Sequence, residues 1–266
     1  MKRKAFTLAE VLITLGIIGI VAAMTLPELI EYNQEIAQIT ALKLAYSQIN
    51  AAISQAVFEY GTVDTWGKDV TERREKLKGI LPKYLKVVKI CEKGKRDAGC
   101  LAKEYTSNLS DTFSGGKKLP LNIYGYGDSM ILANGISLLF EENISSGDCT
   151  YTAKGFNLDV SRKKEDWTKT CLSFTVDTNG PGKPNAASED WFGFYLVKDG
   201  IVPTGTSGSD NWSWVLTFSN NCLGNGPFAI TYQTNCTAWV LAFSNMDYKR
   251  CPEKLGWDKV HSCKGN

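Results

Sequence analysis

The chain has 266 residues, with 30 Lys or Arg, 28 Asp or Glu and a formal net charge of +2. So even a balance offers no basic field for nucleic acid. A single histidine (His261, read as a surface residue) and the lack of HExxH, GxSxG or Walker-type patterns leave an enzyme little to work with.

The first thirty residues carry the strongest signal. Lys2, Arg3 and Lys4 precede Ala5, and Phe6–Leu26 is almost wholly apolar. As a helix that run covers roughly 31 Å, close to the ~30 Å hydrocarbon core of a bilayer. Gly16 and Gly19 are compatible with a membrane helix, and the basic flank places the first residues on the cytoplasmic side. Glu10 interrupts the run, and a carboxylate there is costly in lipid unless it has a partner. A discarded secretion signal ending at Val21-Ala22-Ala23 is one reading. Two features favour a retained helix instead: Glu10 itself, and an apolar stripe that continues past Pro27. That stripe comprises Ile36, Ile39, Leu42, Tyr46, Ile49, Ile53 and Val57 at three- and four-residue spacing.

The stretch Lys4-Ala5-Phe6-Thr7-Leu8-Ala9-Glu10-Val11-Leu12-Ile13 resembles the processing site of type IV prepilins and type II secretion pseudopilins. The resemblance implies cleavage by a prepilin peptidase between Ala5 and Phe6 and N-methylation of Phe6. Glu10 is then retained as the acid that meets the amine of a neighbouring subunit, or its own, during fibre assembly. Ala5 stands where the family usually has Gly; both are small. Pro27 is similar to the proline near this point in many pilin-type helices. The plain alternative for Glu10 is an acid stabilised by the helix dipole in the first turn.

The resulting division is a leader at 1–5, a transmembrane and assembly helix at 6–27, an amphipathic continuation at 28–60 and an exported globular domain at 61–266. Phe6 to Tyr60 would make a rod roughly 80 Å long. Beyond Gly61, residues 64–90 read as a basic helical stretch (Arg73–Lys78, Tyr84–Ile90) broken at Pro82. Residues 91–120 read as polar, Gly-rich loop. Ser129–Ala133 and Ile136–Phe140 around Asn134-Gly135 read as a hairpin, and so do Phe192–Val197 and Ile201–Pro203 around Asp199-Gly200. Leu172–Val176 is a further strand. A long helix followed by antiparallel strands predicts an α+β fold, the helix packed on the sheet, with a disulfide-rich C-terminal region. Pilins and pseudopilins share that plan.

All eight cysteines, Cys91, Cys100, Cys149, Cys171, Cys222, Cys236, Cys251 and Cys263, fall in the exported part. An even number there, without a CxxC pair, reads as disulfides. Neighbour pairing is the natural expectation: Cys91 with Cys100, Cys149 with Cys171, Cys222 with Cys236, Cys251 with Cys263. Each such loop closure is worth about 2–4 kcal/mol.

Two features remain. Asp177-x-Asn179-Gly180…Pro184-Asn185…Asp190-x-Phe192 is similar to a loop of many pseudopilin-like chains, some of which bind calcium nearby. Asp177, Asn179 and Asp190 supply the oxygens calcium takes, but the full EF-hand pattern is missing, and a rigid turn is the plain alternative. Trp212, Trp214, Trp239 and Trp257 could form a carbohydrate-binding surface, or else pack in the core.

The expected function is therefore a structural subunit, not an enzyme. Its partners are other pilin or pseudopilin subunits, the prepilin peptidase, the bacterial inner membrane and a pilus or secretion assembly platform. Its place is first the inner membrane, spanned once with a cytoplasmic N-terminus, and then an extracellular or periplasmic fibre. It needs no cofactor, calcium being the one candidate. The alternative is a minor-pilin-like binding module that works through the aromatic, Cys-rich tail.

Overall fold

The computed structural model describes residues 7–92, 99–102, 105–107, 118–119, 126–141, 149, 151–154, 167–206, 218, 222–223 and 235–264. The chain divides into two compact units, Met1–Ala37 and Gln38–Asn266. Helix α1 (Leu8–Tyr60) runs through both without interruption at Pro27.

In the first unit α1 leaves its apolar side chains, among them Leu12, Ile17 and Ile20, exposed. It is long and apolar enough to cross a membrane. Its hydroxyls are satisfied locally. Thr14 donates to the carbonyl of Glu10 at 2.9 Å and Thr25 to that of Val21 at 3.0 Å. In lipid, where no water is on offer, this removes a cost of several kcal/mol for each unmet group.

In the second unit α1 buries Ile39, Leu42, Ala45, Ile49, Ala52, Ile53 and Ala56. The expected stripe is present, joined by Ala45, Ala52 and Ala56. Tyr46 and Val57 are half-buried, and Ile36, one unit earlier, is exposed. The helix ends before Gly61, whose N–H donates to the Val57 carbonyl at 3.0 Å.

Helix α2 (Val70–Tyr84) starts at Asp69, whose carboxylate accepts the Glu72 N–H at 2.9 Å. Pro82 does not break it. The proline sits two residues before the end, where its ring removes one i→i−4 bond without stopping the helix, which runs on to Tyr84. The expected helix over Tyr84–Ile90 is corrected: β1 (Val87–Cys91) is a strand. Its β-branched residues suit a pleated edge better than a helix.

The remaining strands are β2 (Tyr105–Ser107), β3 (Lys118–Leu119), β4 (Tyr126–Leu132), β5 (Ser137–Glu141), β6 (Tyr151–Lys154), β7 (Trp167–Asp177), β8 (Ala186–Ala187), β9 (Trp191–Val197) and β10 (Gly200–Pro203). Strands β1, β4, β5, β7 and β9 pair antiparallel in that order, with β6 on β7 and β10 on β9. The short β2 and β8 join by parallel pairing, so part of the stretch read as loop at 91–120 is strand. The first hairpin forms at Asn134-Gly135, but only Gly135 takes a positive φ (+87°). The turn is therefore a longer one that closes with the Leu132 N–H on the Ile136 carbonyl. In the second hairpin the turn is Lys198-Asp199, one residue before the expected pair, and Gly200 already pairs with Val197.

Alternation gives the sheet two apolar faces. Leu138, Phe140, Leu172, Phe174, Val176, Phe192, Phe194 and Leu196 join the core with α1. Phe194 stacks on Phe174 (5.6 Å between centroids) and on Tyr46 of α1 (6.2 Å). On the other face Leu139, Ala187 and Trp191 pack against the Cys91–Cys100 disulfide, Leu101 and Ala102.

The two halves of α1 should answer differently to the same substitution. Ile49→Ala leaves a cavity in the core and should lower the unfolding free energy of the full chain in detergent by about 2–5 kcal/mol. Ile17→Ala should leave it unchanged. Equal effects in thermal melts would contradict the division.

Candidate functional site

Helix α1 begins with Thr7 as its N-cap and Glu10 three residues on. The Thr7 N–H donates to Glu10 Oε2 at 2.8 Å and its hydroxyl to the same oxygen at 2.9 Å. The Glu10 N–H returns a bond to Thr7 Oγ1 at 3.3 Å. This reciprocal arrangement is a capping box. Thr7-x-x-Glu10 is its sequence signature, and it is a partner for Glu10 that the dipole argument alone misses. The carboxylate is exposed and held at the helix tip by donors of its own chain. An acid fixed there is stabilised further by the N-terminal end of the dipole and can still receive a cation from outside. Ala5 and Phe6 lie outside the described residues.

The loop from β7 to β9 is built around buried acids. Asp190 is fully buried. Its Oδ2 accepts the Asn185 N–H and its Oδ1 the Ala186 N–H, each at 2.7 Å. Asp177, also buried, accepts the Asn179 N–H at 3.2 Å, and Asn179 Nδ2 donates to the Lys183 carbonyl at 2.8 Å. Gly180 takes φ +61°, and a Cβ there would stand 2.6 Å from the Gly135 carbonyl oxygen, so the loop tip requires glycine. From the C-terminal segment, Tyr248 donates to the Ser188 carbonyl at 2.6 Å and Lys249 pairs with Glu189. Asp190 thus holds one backbone amide on each oxygen, which ties the loop together without any metal ion. Among the described residues no group of three or more His, Cys, Asp or Glu is placed to hold a metal.

The cysteines are joined as Cys91–Cys100, Cys149–Cys171, Cys222–Cys236 and Cys251–Cys263. Near the last two bridges the tail forms an aromatic core. Trp239 is fully buried, stacked on Phe218 at 4.1 Å, with Phe243 and Trp257 around it. Trp239 is therefore no part of a carbohydrate platform; Trp212 and Trp214 lie outside the described residues. The surface reading of His261 is also corrected. Its ring is half-buried and stacks on Phe243 at 4.0 Å, and the C-terminal segment folds back over the cluster so that Asn245 Nδ2 donates to the His261 carbonyl at 3.0 Å.

Residues 1–26 match the model of the prokaryotic N-terminal methylation motif, the signature of type IV pilins and pseudopilins. No curated protein and no solved structure matches the chain.

Asp190 makes the loop a pH reporter. Burial pushes its carboxyl up to about 6 from the ordinary 3.8, against the pull of the Ala186 and Asn185 amides. The folded value lies above the unfolded one, so this contribution to stability is full below about pH 4. It is lost as the pH rises through 6. Melts of the wild type should show a decline over that window on the order of 2–3 kcal/mol, and Asp190→Asn should remove it. Parallel wild-type and variant profiles would refute the assignment.

Proposed function

We propose that the chain is a structural subunit of a type IV pilus or type II secretion pseudopilus. The observation that carries this reading is the methylation motif at 1–26 on a helix whose apolar half is exposed. The motif implies a prepilin peptidase and other pilin-type subunits as partners, and a membrane anchor before assembly. On this reading the chain enters the bacterial inner membrane with Lys2, Arg3 and Lys4 on the cytoplasmic side. Cleavage between Ala5 and Phe6 leaves an amine at Phe6, which is methylated. The helix then exchanges lipid for the helices of neighbouring subunits. Apolar packing alone is slippery in register, because any Leu or Ile satisfies any other. A carboxylate at one height, in a medium where an unpaired charge is costly, fixes that register by seeking the amine of an adjacent subunit. The capping box keeps Glu10 at the tip until then. Neither a catalytic constellation nor a calcium ion is required for this reading.

The alternative, a membrane-anchored binding module working through the aromatic tail, is weakened by the burial of Trp239.

Mass spectrometry of the mature amino terminus should give N-methyl-Phe6, and a start at Met24 would overturn the class. Glu10→Leu should remain in the membrane fraction but fall out of sheared fibres; normal incorporation would refute its role in assembly.

A further inference from the structure

Between Lys4 and Lys43 the sequence holds no basic residue. Just past the apolar run, Glu28 and Glu31 lie one turn apart on α1, both exposed, beside exposed Leu29, Ile30 and Tyr32. Neither the fold of the second unit nor the capping of α1 uses these side chains.

The second unit carries the opposite pattern. Lys76 and Lys83, two turns apart on α2, both lie over the Tyr60 ring, at 5.4 and 4.8 Å from its centroid. Lys86 follows at the start of β1, and all three are exposed. The cations turned the other way are neutralised within the chain: Lys78 binds Asp128 at 2.8 Å and Glu75 at 3.0 Å, and Arg74 lies 3.6 Å from Asp128. The nearby acid Glu59 accepts the Tyr84 hydroxyl and keeps its charge beside Lys83, one carboxylate against three cations. Lys76, Lys83 and Lys86 thus form an outward positive face beside β1. Next to it, β1 stands at the end of the strand order and exposes Val88 (69%) and Ile90 (40%). An edge strand with exposed apolar side chains is ordinarily blunted or covered.

We propose that this face, Lys76, Lys83 and Lys86 with Val88 and Ile90, docks on the Glu28–Tyr32 stretch of a second copy of this chain. The inference rests on the fibre reading and specifies one of its interfaces. The two surfaces match in charge and in apolar content. The acids lie beyond the hydrocarbon run, where an ion pair forms without a burial penalty and serves register and partner choice more than raw affinity. The apolar flanks, Leu29 and Ile30 against Val88 and Ile90, supply the contact area. Because the acidic stretch and the basic face are different surfaces, one copy can give each to a different neighbour, the head-to-tail arrangement that a fibre requires.

The test uses the full chain in cells that assemble it. Lys83→Glu with Lys86→Glu, and separately Glu28→Lys with Glu31→Lys, should each lower the fibre-bound fraction about tenfold. Combining all four should restore most of it, which a folding defect cannot do. Lys86→Glu alone is a milder check, and the oxidised membrane pool of each variant reports folding. In wild-type fibres mixed from 14N- and 15N-labelled subunits, carbodiimide should join Glu28 or Glu31 of one label to Lys83 or Lys86 of the other. If wild type fails to enter fibres, the fibre reading falls and this inference with it. If wild type assembles but the reversals have no effect, or the swap does not restore assembly and no mixed-label link appears, this interface alone is overturned.

Discussion

The apolar stripe of α1 from Ile39 to Ala56 is the surface on which the second unit is built. A sheet of this size exposes two faces, and each must be covered or soluble. One face finds its cover in α1, through Tyr46 on Phe194 and Phe194 on Phe174. Among the described residues, the other is covered by the Cys91–Cys100 bridge, Leu101 and Ala102 over Leu139 and Trp191. The bridge does there what a second helix would do in a larger domain, holding a short segment against an apolar patch that could not pay for ordering it unaided. The same helix therefore serves two solvents in turn, lipid along its first half and a protein core along its second. The sequence marks the change by replacing unbroken apolar residues with a periodic stripe.

At the helix tip the physics is more local. A carboxylate in an apolar run looks like an error until its donors are counted. Thr7 contributes both its amide and its hydroxyl to Glu10, so the tip is satisfied within a single chain. The carboxylate therefore needs no second chain to be satisfied where it stands. The burial of Asp190 follows the same logic in the exported domain, where two backbone amides take the place of solvent.

Much of this was legible. The long helix, its end at Gly61, the core stripe and both hairpins follow from periodicity and turn residues. Misreadings came where two signals competed. Pro82 reads as a breaker, but the helix outlasts it by two residues, to Tyr84. Tyr84–Ile90 mixes lysines with valines and isoleucine, and because the outward face of β1 is itself apolar, no clean alternation betrays a strand. Strands β2 and β8 are too short to carry a pattern at all; they exist through pairing with one another and with β9. The Thr7–Glu10 box was present in the sequence but overshadowed by the rarity of an acid in that place. His261 was misjudged because a lone histidine near the end of a chain reads as solvent-facing, and only the fold-back of the C-terminal segment brings it to Phe243.

The disulfides close only local loops, with separations of 9 to 22 residues; no cysteine is free, and none lies in α1. Oxidation is thus completed inside each subunit and leaves no thiol to offer a neighbour. Any polymer of this chain is held without disulfide links between copies. Detergent should take it apart with its bridges intact, reductant alone should loosen the subunits before their junctions, and released subunits remain fit for reuse.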